Sequence, residues 1–227
     1  MPSLVIPHFI AYAAALIPGA ALFLTFIISA QHEYISWCFP LYEGCASISK
    51  AARGGYSLYL FRIMIIPAAV LQLVFWVLFY DWCKGQSSEV RQTSRTVLIL
   101  GIISAIFLIV YANFLGTEGK LYTFLRRSGI YIYFASTVTA HFLIALNSYR
   151  LKTLSLPLNK TWRAMALICG LMVVFALSQA YIKLFIEDHR TIENVIEWNM
   201  AIAMHIPFLI FAYHWQKSDY KLTLNKN

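Results

Sequence analysis

Residues 58–80 read LYLFRIMIIPAAVLQLVFWVLFY, a run whose only charged residue is Arg62. A helix needs about 20 apolar residues to cross the ~30 Å of hydrocarbon in a bilayer. Five further apolar runs occupy residues 9–28, 97–115, 130–149, 164–185 and 195–215. Their apolarity is continuous rather than alternating, which argues against a transmembrane β-barrel. The sequence therefore predicts an all-α integral membrane protein, a bundle of six transmembrane helices.

The composition agrees with this prediction. The chain is 60% hydrophobic and 12% charged, with a mean hydropathy of +0.65. The segments between the apolar runs are shorter than the ~50 residues of a small domain, so we expect one domain over residues 1–227. The formal net charge is +8, and the basic residues are scattered over the loops and the tail. This pattern favours an anionic membrane surface over nucleic acid as a partner.

Six spans place both termini on one side of the membrane. Of the 18 Lys and Arg residues, 10 fall on the side of the termini and 8 on the opposite side, which we call the outer face. The positive-inside rule then predicts cytoplasmic termini. We expect a multi-pass protein of the secretory pathway or plasma membrane, or of the inner membrane in a bacterium.

Cys38 and Cys45 lie together in the first outer loop. An oxidising compartment would allow them to form a disulfide, which is our prediction; two unpaired thiols near the interface are the alternative. Their spacing is not one that zinc sites favour, and we predict no metal site.

Cationic and hydroxyl side chains gather on the outer face. Ser47, Ser49 and Arg53 come from the first outer loop, and Arg126 precedes the fourth apolar run. Arg62 lies about five residues inside the second run, where a charge is costly without a partner. Arginine binds phosphate bidentately, so these residues are candidate ligands for a lipid headgroup. The alternative is a solvated rim with ordinary ion pairs.

Ionisable residues inside the membrane are rare and often functional. His141 and His205 lie near the middle of the fourth and sixth runs, and Glu197 shares a helix face with His205. These three residues are candidate catalytic groups, because His and Glu can transfer protons in acyl transfer. Each His could instead bond a backbone carbonyl. Pro67 and Pro207 interrupt two runs and could open a cavity beside them.

Several short segments, in order, resemble the GPI-anchor lipid-remodelling factors of the DRAM-like superfamily of six-helix membrane proteins. The matching residues are Cys38, Pro40, the run 47–55, Tyr59 to Arg62, Asn113, Glu118, His141, Glu197, Trp198 and His205. Ala46 stands where the family usually has Pro, and Ile63 replaces its second aromatic residue.

The resemblance implies a lipid-handling protein. The GPI branch of the family acts in fatty-acid remodelling of GPI anchors. It adds Asn113 and Glu118 to the candidate headgroup ligands. The predicted function is binding or remodelling of a phospholipid-like substrate from the outer leaflet. Whether the chain is an enzyme or an accessory to a lipid-remodelling transferase stays open.

Two alternatives remain. A non-catalytic scaffold or regulator of a partner membrane protein is favoured by the absence of a nucleophile motif. A haem or metal protein could use His141 and His205 as paired ligands. Transport has little support, because no inverted repeat is visible. No cofactor and no nucleic-acid partner are predicted.

Overall fold

The computed structural model describes residues 3–84, 87–147, 158–187 and 189–224. In chain order the elements are β1 (Ser3–Val5), α1 (Pro7–Gln31), α2 (Ile48–Ala51), α3 (Gly55–Trp82), α4 (Ser88–Phe114), α5 (Lys120–Asn147), α6 (Leu158–Phe185), α7 (Arg190–Lys217) and β2 (Leu222–Leu224). The six long helices are each long and apolar enough to cross a membrane. The predicted all-α, six-helix, multi-pass membrane fold is therefore confirmed.

The long helices form a closed ring. Helix α1 packs on α3, α3 on α4, α4 on α5, α5 on α6, α6 on α7, and α7 returns to α1. The seam between α5 and α6 is the least extensive of the six. Towards the side of the termini the ring is filled by aromatic side chains of α3 and α7, including Phe75, Phe208 and Trp215.

Both termini lie on the same face. Strands β1 and β2 pair antiparallel, with Ser3 opposite Leu224. The hydroxyl of Tyr12 on α1 donates to Oε1 of Gln216 on α7 at 2.9 Å. This pairing agrees with an even number of spans, and the assignment of that face to the cytoplasm stays a prediction. Three basic residues that supported it, Arg150, Lys152 and Lys226, lie outside the described residues.

Asp81 ties the segment after α7 to the end of α3. Its carboxylate accepts a hydrogen bond from the Tyr220 hydroxyl at 3.1 Å and pairs with Nζ of Lys84 at 2.7 Å. Its hydrogen bond and charge raise the pKa of Lys84, and burial together with the same charge raises the pKa of Tyr220. Burial also raises the pKa of the nearby Cys83 thiol to about 12, so this free thiol stays protonated at neutral pH.

Helix α5 begins earlier than its apolar run. It starts at Lys120 rather than near Ile130, so Arg126 lies in a helix and not in the loop where the sequence placed it. Hydropathy detects only the part of a helix inside hydrocarbon, whereas residues 120–129 extend it towards the outer surface. Gly129 lets α5 approach α4 closely, because a Cβ there would lie 3.0 Å from the backbone nitrogen of Tyr111.

Three prolines lie inside continuous helices: Pro18 in α1, Pro67 in α3 and Pro207 in α7. A proline cannot donate to the carbonyl four residues earlier. For Pro18 that carbonyl belongs to Ala14, and Nε2 of Gln72 donates to it at 3.3 Å. Gln72 is fully buried on α3, so this side chain joins two neighbouring helices through the group that Pro18 leaves free.

Gly101 on α4 supports the largest buried side chain of α3. A Cβ built on Gly101 would overlap the indole ring of Trp76, which is fully buried. The small residue therefore allows α3 and α4 to pack closely at this level, and it fixes the position of Trp76 in the ring.

We predict that Gly101→Ala lowers stability by about 1–3 kcal/mol, the usual cost of overpacking a tight site. Thermal unfolding of the purified protein in detergent, followed by tryptophan fluorescence, would measure it. Gly19→Ala is the matched control, because a Cβ there meets no atom within 4 Å. Equal unfolding temperatures for the two variants would show that Trp76 does not pack against α4 as described.

Candidate functional site

The outer end of α7 holds the first outer loop through side-chain hydrogen bonds to backbone carbonyls. Three donors act at 2.8 Å each: Asn194 to Gly44, Trp198 to Ala46 and Asn199 to Leu41. Trp198 is fully buried, and its ring also packs on Phe26 of α1. Trp198, one of the residues that carry the resemblance, thus anchors the loop in the fold. Together with Glu197, described below, these side chains form what we call the α7 clamp.

The loop itself is closed by a disulfide between Cys38 and Cys45, the pair that the sequence indicated, with their Cα atoms 6.3 Å apart. Gly44 adopts a φ of 63°, in the left-handed region that favours glycine. A Cβ at this position would lie 2.9 Å from Cγ2 of Val195. The loop therefore lies directly on α7, with no space for a side chain at Gly44.

Helix α2 follows the disulfide loop and is capped from two directions. The Ser47 hydroxyl accepts a hydrogen bond from the backbone N–H of Lys50 at 3.1 Å. The Glu197 carboxylate faces the backbone N–H groups of Ile48 and Ser49. A helix start leaves such N–H groups free, and a negative charge is favourable there. Glu197 thus completes the α7 clamp and fixes α2 over the bundle.

A cavity of about 40 Å³ lies beneath α2, inside the ring of helices. A cavity needs about 10–15 Å³ of such volume to hold one water molecule, so this space suits a few water molecules or the end of one hydrocarbon chain. Its lining consists of Pro18, Leu22, Ile48, Phe61, Ile65, Leu108, Tyr111, Ile130, Tyr133, Phe134, Glu197, Ala201, Met204 and His205. The walls are mostly apolar, with ionisable groups at separate depths.

Two of the predicted catalytic residues, Glu197 and His205, line this cavity. They lie eight residues apart on α7, a rise of about 12 Å along the axis. They therefore cannot act on the same atom of a substrate. Nδ1 of His205 donates to the Ala201 carbonyl at 2.6 Å, whereas Nε2 has no hydrogen-bond partner among the described residues. His205 is 8% exposed, so the cavity holds a buried nitrogen able to accept or donate a proton.

His141, the third predicted catalytic residue, does not line the cavity. Its ring is fully buried between Trp76 and Phe208, with centroids 5.4 and 5.1 Å away. Neither ring nitrogen has a partner within the described ranges. Phe208 also lies 6.4 Å from the ring of His205. A haem needs a flat slot between its two imidazoles, and Phe208 occupies that space, so the paired-His haem alternative does not fit this geometry.

Arg62 is held by the end of a neighbouring helix. Its Nε donates to the carbonyl of Ala112 at 3.1 Å, and Nη2 donates to those of Asn113 and Leu115 at 2.8 Å each. These carbonyls end α4, where a helix leaves acceptors unpaired and carries partial negative charge. The predicted role of Arg62 as a headgroup ligand is thus replaced by a structural one, which joins α3 to α4. Which helix end receives it depends on tertiary packing, so the sequence could not reveal the partner.

The other basic candidates lie at the outer rim. Nη2 of Arg53 contacts the Ser49 hydroxyl at 3.4 Å, and the Ser47 and Ser49 hydroxyls are also 3.4 Å apart. The charges of Arg53 and Arg126 act on each other and on Tyr111 of the cavity wall. These four predicted residues lie at the outer rim, next to wall residues such as Ile48 and Tyr111, but none of them lines the cavity.

The two candidates that the resemblance supplied lie elsewhere on the rim. Nδ2 of Asn113 donates to the Ile109 carbonyl of its own helix at 3.0 Å. Glu118 is exposed in the loop before α5. Both keep their predicted place at the outer face, but neither side chain lines the cavity. Tyr111 and Tyr133 do line it, and sequence reasoning missed them because tyrosines inside apolar runs give no distinct signal.

Comparison with known proteins gives one match. A family model described as the Frag1/DRAM/Sfk1/Cwh43P N-terminal domain matches residues 8–218. No curated protein and no solved structure matches the chain. The match covers all six long helices and the first outer loop, which supports the DRAM-like resemblance without selecting its GPI-remodelling branch.

We predict that Arg62→Ala lowers the free energy of unfolding by about 1.5–3 kcal/mol, because three charge-assisted hydrogen bonds to α4 are lost. Thermal unfolding in detergent is again the measurement. Arg127→Ala is the control, since Arg127 is exposed on α5 and should shift stability by less than ~0.5 kcal/mol. Unchanged stability of Arg62→Ala together with loss of bound lipid would restore the headgroup role.

Proposed function

The chain belongs to the Frag1/DRAM/Sfk1/Cwh43P N-terminal domain family, and on that premise we propose that it binds a phospholipid-like lipid from the outer leaflet. The family connects the chain with lipid-related or GPI-related processes of membranes. The more specific proposal, a lipid substrate with an anionic headgroup, comes from the geometry of the outer half of the bundle.

The cavity beneath α2 is the observation that carries this proposal. Its walls are apolar side chains from five transmembrane helices, and its size suits the end of one acyl chain. Whole headgroups are too large for a space of about 40 Å³. A lipid would therefore keep its headgroup at the outer surface and place only hydrocarbon among Leu22, Ile65 and Met204.

The rim beside the cavity supplies the complementary charge. Arg53 and Arg126 both place positive charge on the outer face, an arrangement that a bound anion would relieve. Guanidinium groups bind phosphate oxygens in pairs, and Ser47 and Ser49 offer hydroxyl donors beside Arg53. A ligand with its phosphate at this rim and one acyl chain in the cavity is a phospholipid.

We further propose that the protein remodels the acyl chains of the lipid that it binds. Glu197 lies about 10 Å below the start of α7, whereas His205 lies about 22 Å below it. The glycerol esters of a phospholipid lie at the edge of the hydrocarbon, nearer to the depth of Glu197. In acyl transfer Glu197 would accept the proton of the attacking hydroxyl as its oxygen forms the new ester bond, and would return that proton to the oxygen released when the donor's ester bond breaks. His205 would face the hydrocarbon. GPI anchors, which contain an inositol phospholipid, are the substrates that the resemblance implies.

A second candidate function, lipid binding without chemistry by a regulator of other membrane proteins, is favoured by one observation. The three predicted catalytic residues occupy three separate depths instead of one reacting centre. Incubation of the purified protein with a phospholipid acyl donor and a lysolipid acceptor separates the two candidates. If wild type turns over the substrates and Glu197→Ala does not, the result supports remodelling. If wild type binds lipid without turnover, the result supports the regulator.

We predict that Ala201→Phe, which fills the cavity, lowers the amount of co-purified lipid about tenfold. Displacing two methylene groups loses ~0.8 kcal/mol each, and about 1.4 kcal/mol is a factor of ten in affinity. Native mass spectrometry of the detergent-solubilised protein would count the bound lipids.

Leu167→Phe serves as the control, because Leu167 is 72% exposed on α6 and remote from the cavity. Equal lipid occupancy in wild type, Ala201→Phe and Leu167→Phe would mean that no acyl chain enters the space beneath α2.

A further inference from the structure

A second concavity opens on the outer face, separate from the cavity beneath α2. It has a volume of about 430 Å³, within the ~300–1,000 Å³ range of small-molecule sites. Its walls come from the last turn of α1, the chain that follows it, and α2; the lining residues are Ala30, Gln31, Glu33, Tyr34, Ile35, Ser36, Trp37 and Lys50. We call it the outer depression.

Helix α2 separates the two spaces. Ile48 lines the cavity inside the bundle, whereas Lys50 lines the outer depression. Residues two apart on a helix point in nearly opposite directions, which explains why one short helix serves both. The α7 clamp that fixes α2 therefore also fixes Lys50 at the wall of the outer depression.

The depression carries one negative and one positive group that do not neutralise each other. Glu33 and Lys50 form no ion pair and no side-chain hydrogen bond within the described part of the chain. Glu43, in the same loop, differs in this respect, because its carboxylate accepts a hydrogen bond from the backbone of Phe39 at 2.7 Å. The charges of Glu33 and Lys50 thus stay available to a ligand that carries both signs.

The backbone at Glu33 is strained. Its φ is 59°, in the left-handed region where residues with a Cβ are uncommon. This conformation ends α1, with the Tyr34 N–H donating to the Ser29 carbonyl at 2.9 Å. Glycine is the usual residue at this position of a helix end. A glutamate in place of glycine adds strain to this helix end, and residues held in strained conformations cluster at functional sites.

Aromatic side chains complete the walls. Trp37 is 62% exposed, and the Tyr34 ring stacks on His32 with centroids 5.7 Å apart. Tyr34 also packs against Gly54, where a Cβ would lie 2.7 Å from its ring. An ordinary interfacial belt accounts for exposed aromatics alone. It does not account for a concavity that combines them with two unpaired, opposite charges at headgroup depth.

We propose that the outer depression binds a zwitterionic phospholipid headgroup, a phosphate joined to a short-chain ammonium. Lys50 and the Ser36 hydroxyl take the phosphate, and Glu33 takes the ammonium against the face of Trp37, since cations bind the faces of indole rings. The inference rests on the proposed lipid-binding function and extends it. The outer face then has two headgroup sites of different chemistry: a cationic rim at Arg53 and Arg126, and a mixed-charge depression at Glu33 and Lys50.

The test compares lipids retained after purification from nanodiscs containing equal amounts of phosphatidylcholine and phosphatidylglycerol, counted by native mass spectrometry. Wild type should retain both lipids. Glu33→Gln and Lys50→Gln should each lose phosphatidylcholine about fivefold, the effect of one exposed charge contact, and keep phosphatidylglycerol. The two variants lie on different elements, so misfolding of one leaves the other as a test.

Glu187→Gln and Lys183→Gln are the charge-matched controls, since both residues are exposed at the outer end of α6 and lie outside the depression. Unchanged lipid ratios in both Glu33→Gln and Lys50→Gln would overturn the inference while leaving the proposed function intact. Retention of phosphatidylglycerol without phosphatidylcholine by wild type would also overturn the inference, whereas absence of both lipids from wild type would overturn the proposed function itself.

Soluble glycerophosphocholine distinguishes the source of the headgroup. If calorimetry detects binding of glycerophosphocholine to wild type and Glu33→Gln abolishes it, the depression is a site for a water-soluble ligand. Binding of phosphatidylcholine without binding of glycerophosphocholine supports a membrane lipid whose chains contribute.

Discussion

The attachment of the first outer loop to α7 is the interaction on which the outer half of the structure depends. Asn194, Trp198 and Asn199 donate to loop carbonyls, and Glu197 faces the first N–H groups of α2. A bilayer offers no water to satisfy such groups, so backbone outside helices must be bonded by protein where it lies near hydrocarbon. The α7 clamp meets this requirement and places α2 between an inner cavity and an outer depression.

Charge near hydrocarbon is handled in two ways in this bundle. Nε and Nη2 of Arg62 donate to the end of α4, and the positive charge compensates carbonyls that a helix terminus leaves unpaired. Arg53, in contrast, donates only to the Ser49 hydroxyl among the described residues, at 3.4 Å. Burial depth alone therefore does not identify a ligand-binding arginine. The distinguishing feature is whether neighbouring groups of the protein already satisfy the guanidinium.

The apolar runs were sufficient to predict six spans, because a continuous run of about 20 apolar residues is typical of a membrane-spanning helix. The start of α5 at Lys120 was missed, since a helix that continues past the hydrocarbon loses its hydropathy signal. The candidate residues Glu197 and His205 do share one cavity, as their helical spacing indicated. The partners of Arg62 and Gln72, and the outer depression, could not be predicted, because they depend on how separate helices align and on the backbone conformation of one residue, Glu33.

Hydrogen–deuterium exchange at the Ile48 and Ser49 amides in lipid nanodiscs tests the α7 clamp most directly. If Glu197 holds these amides, Glu197→Ala should accelerate their exchange about tenfold or more, as the loss of a charge-assisted hydrogen bond predicts. Glu193→Ala, one turn earlier on α7, should leave them unchanged. Equal exchange in wild type and Glu197→Ala would contradict the account, because α2 would then keep its position over the cavity without α7.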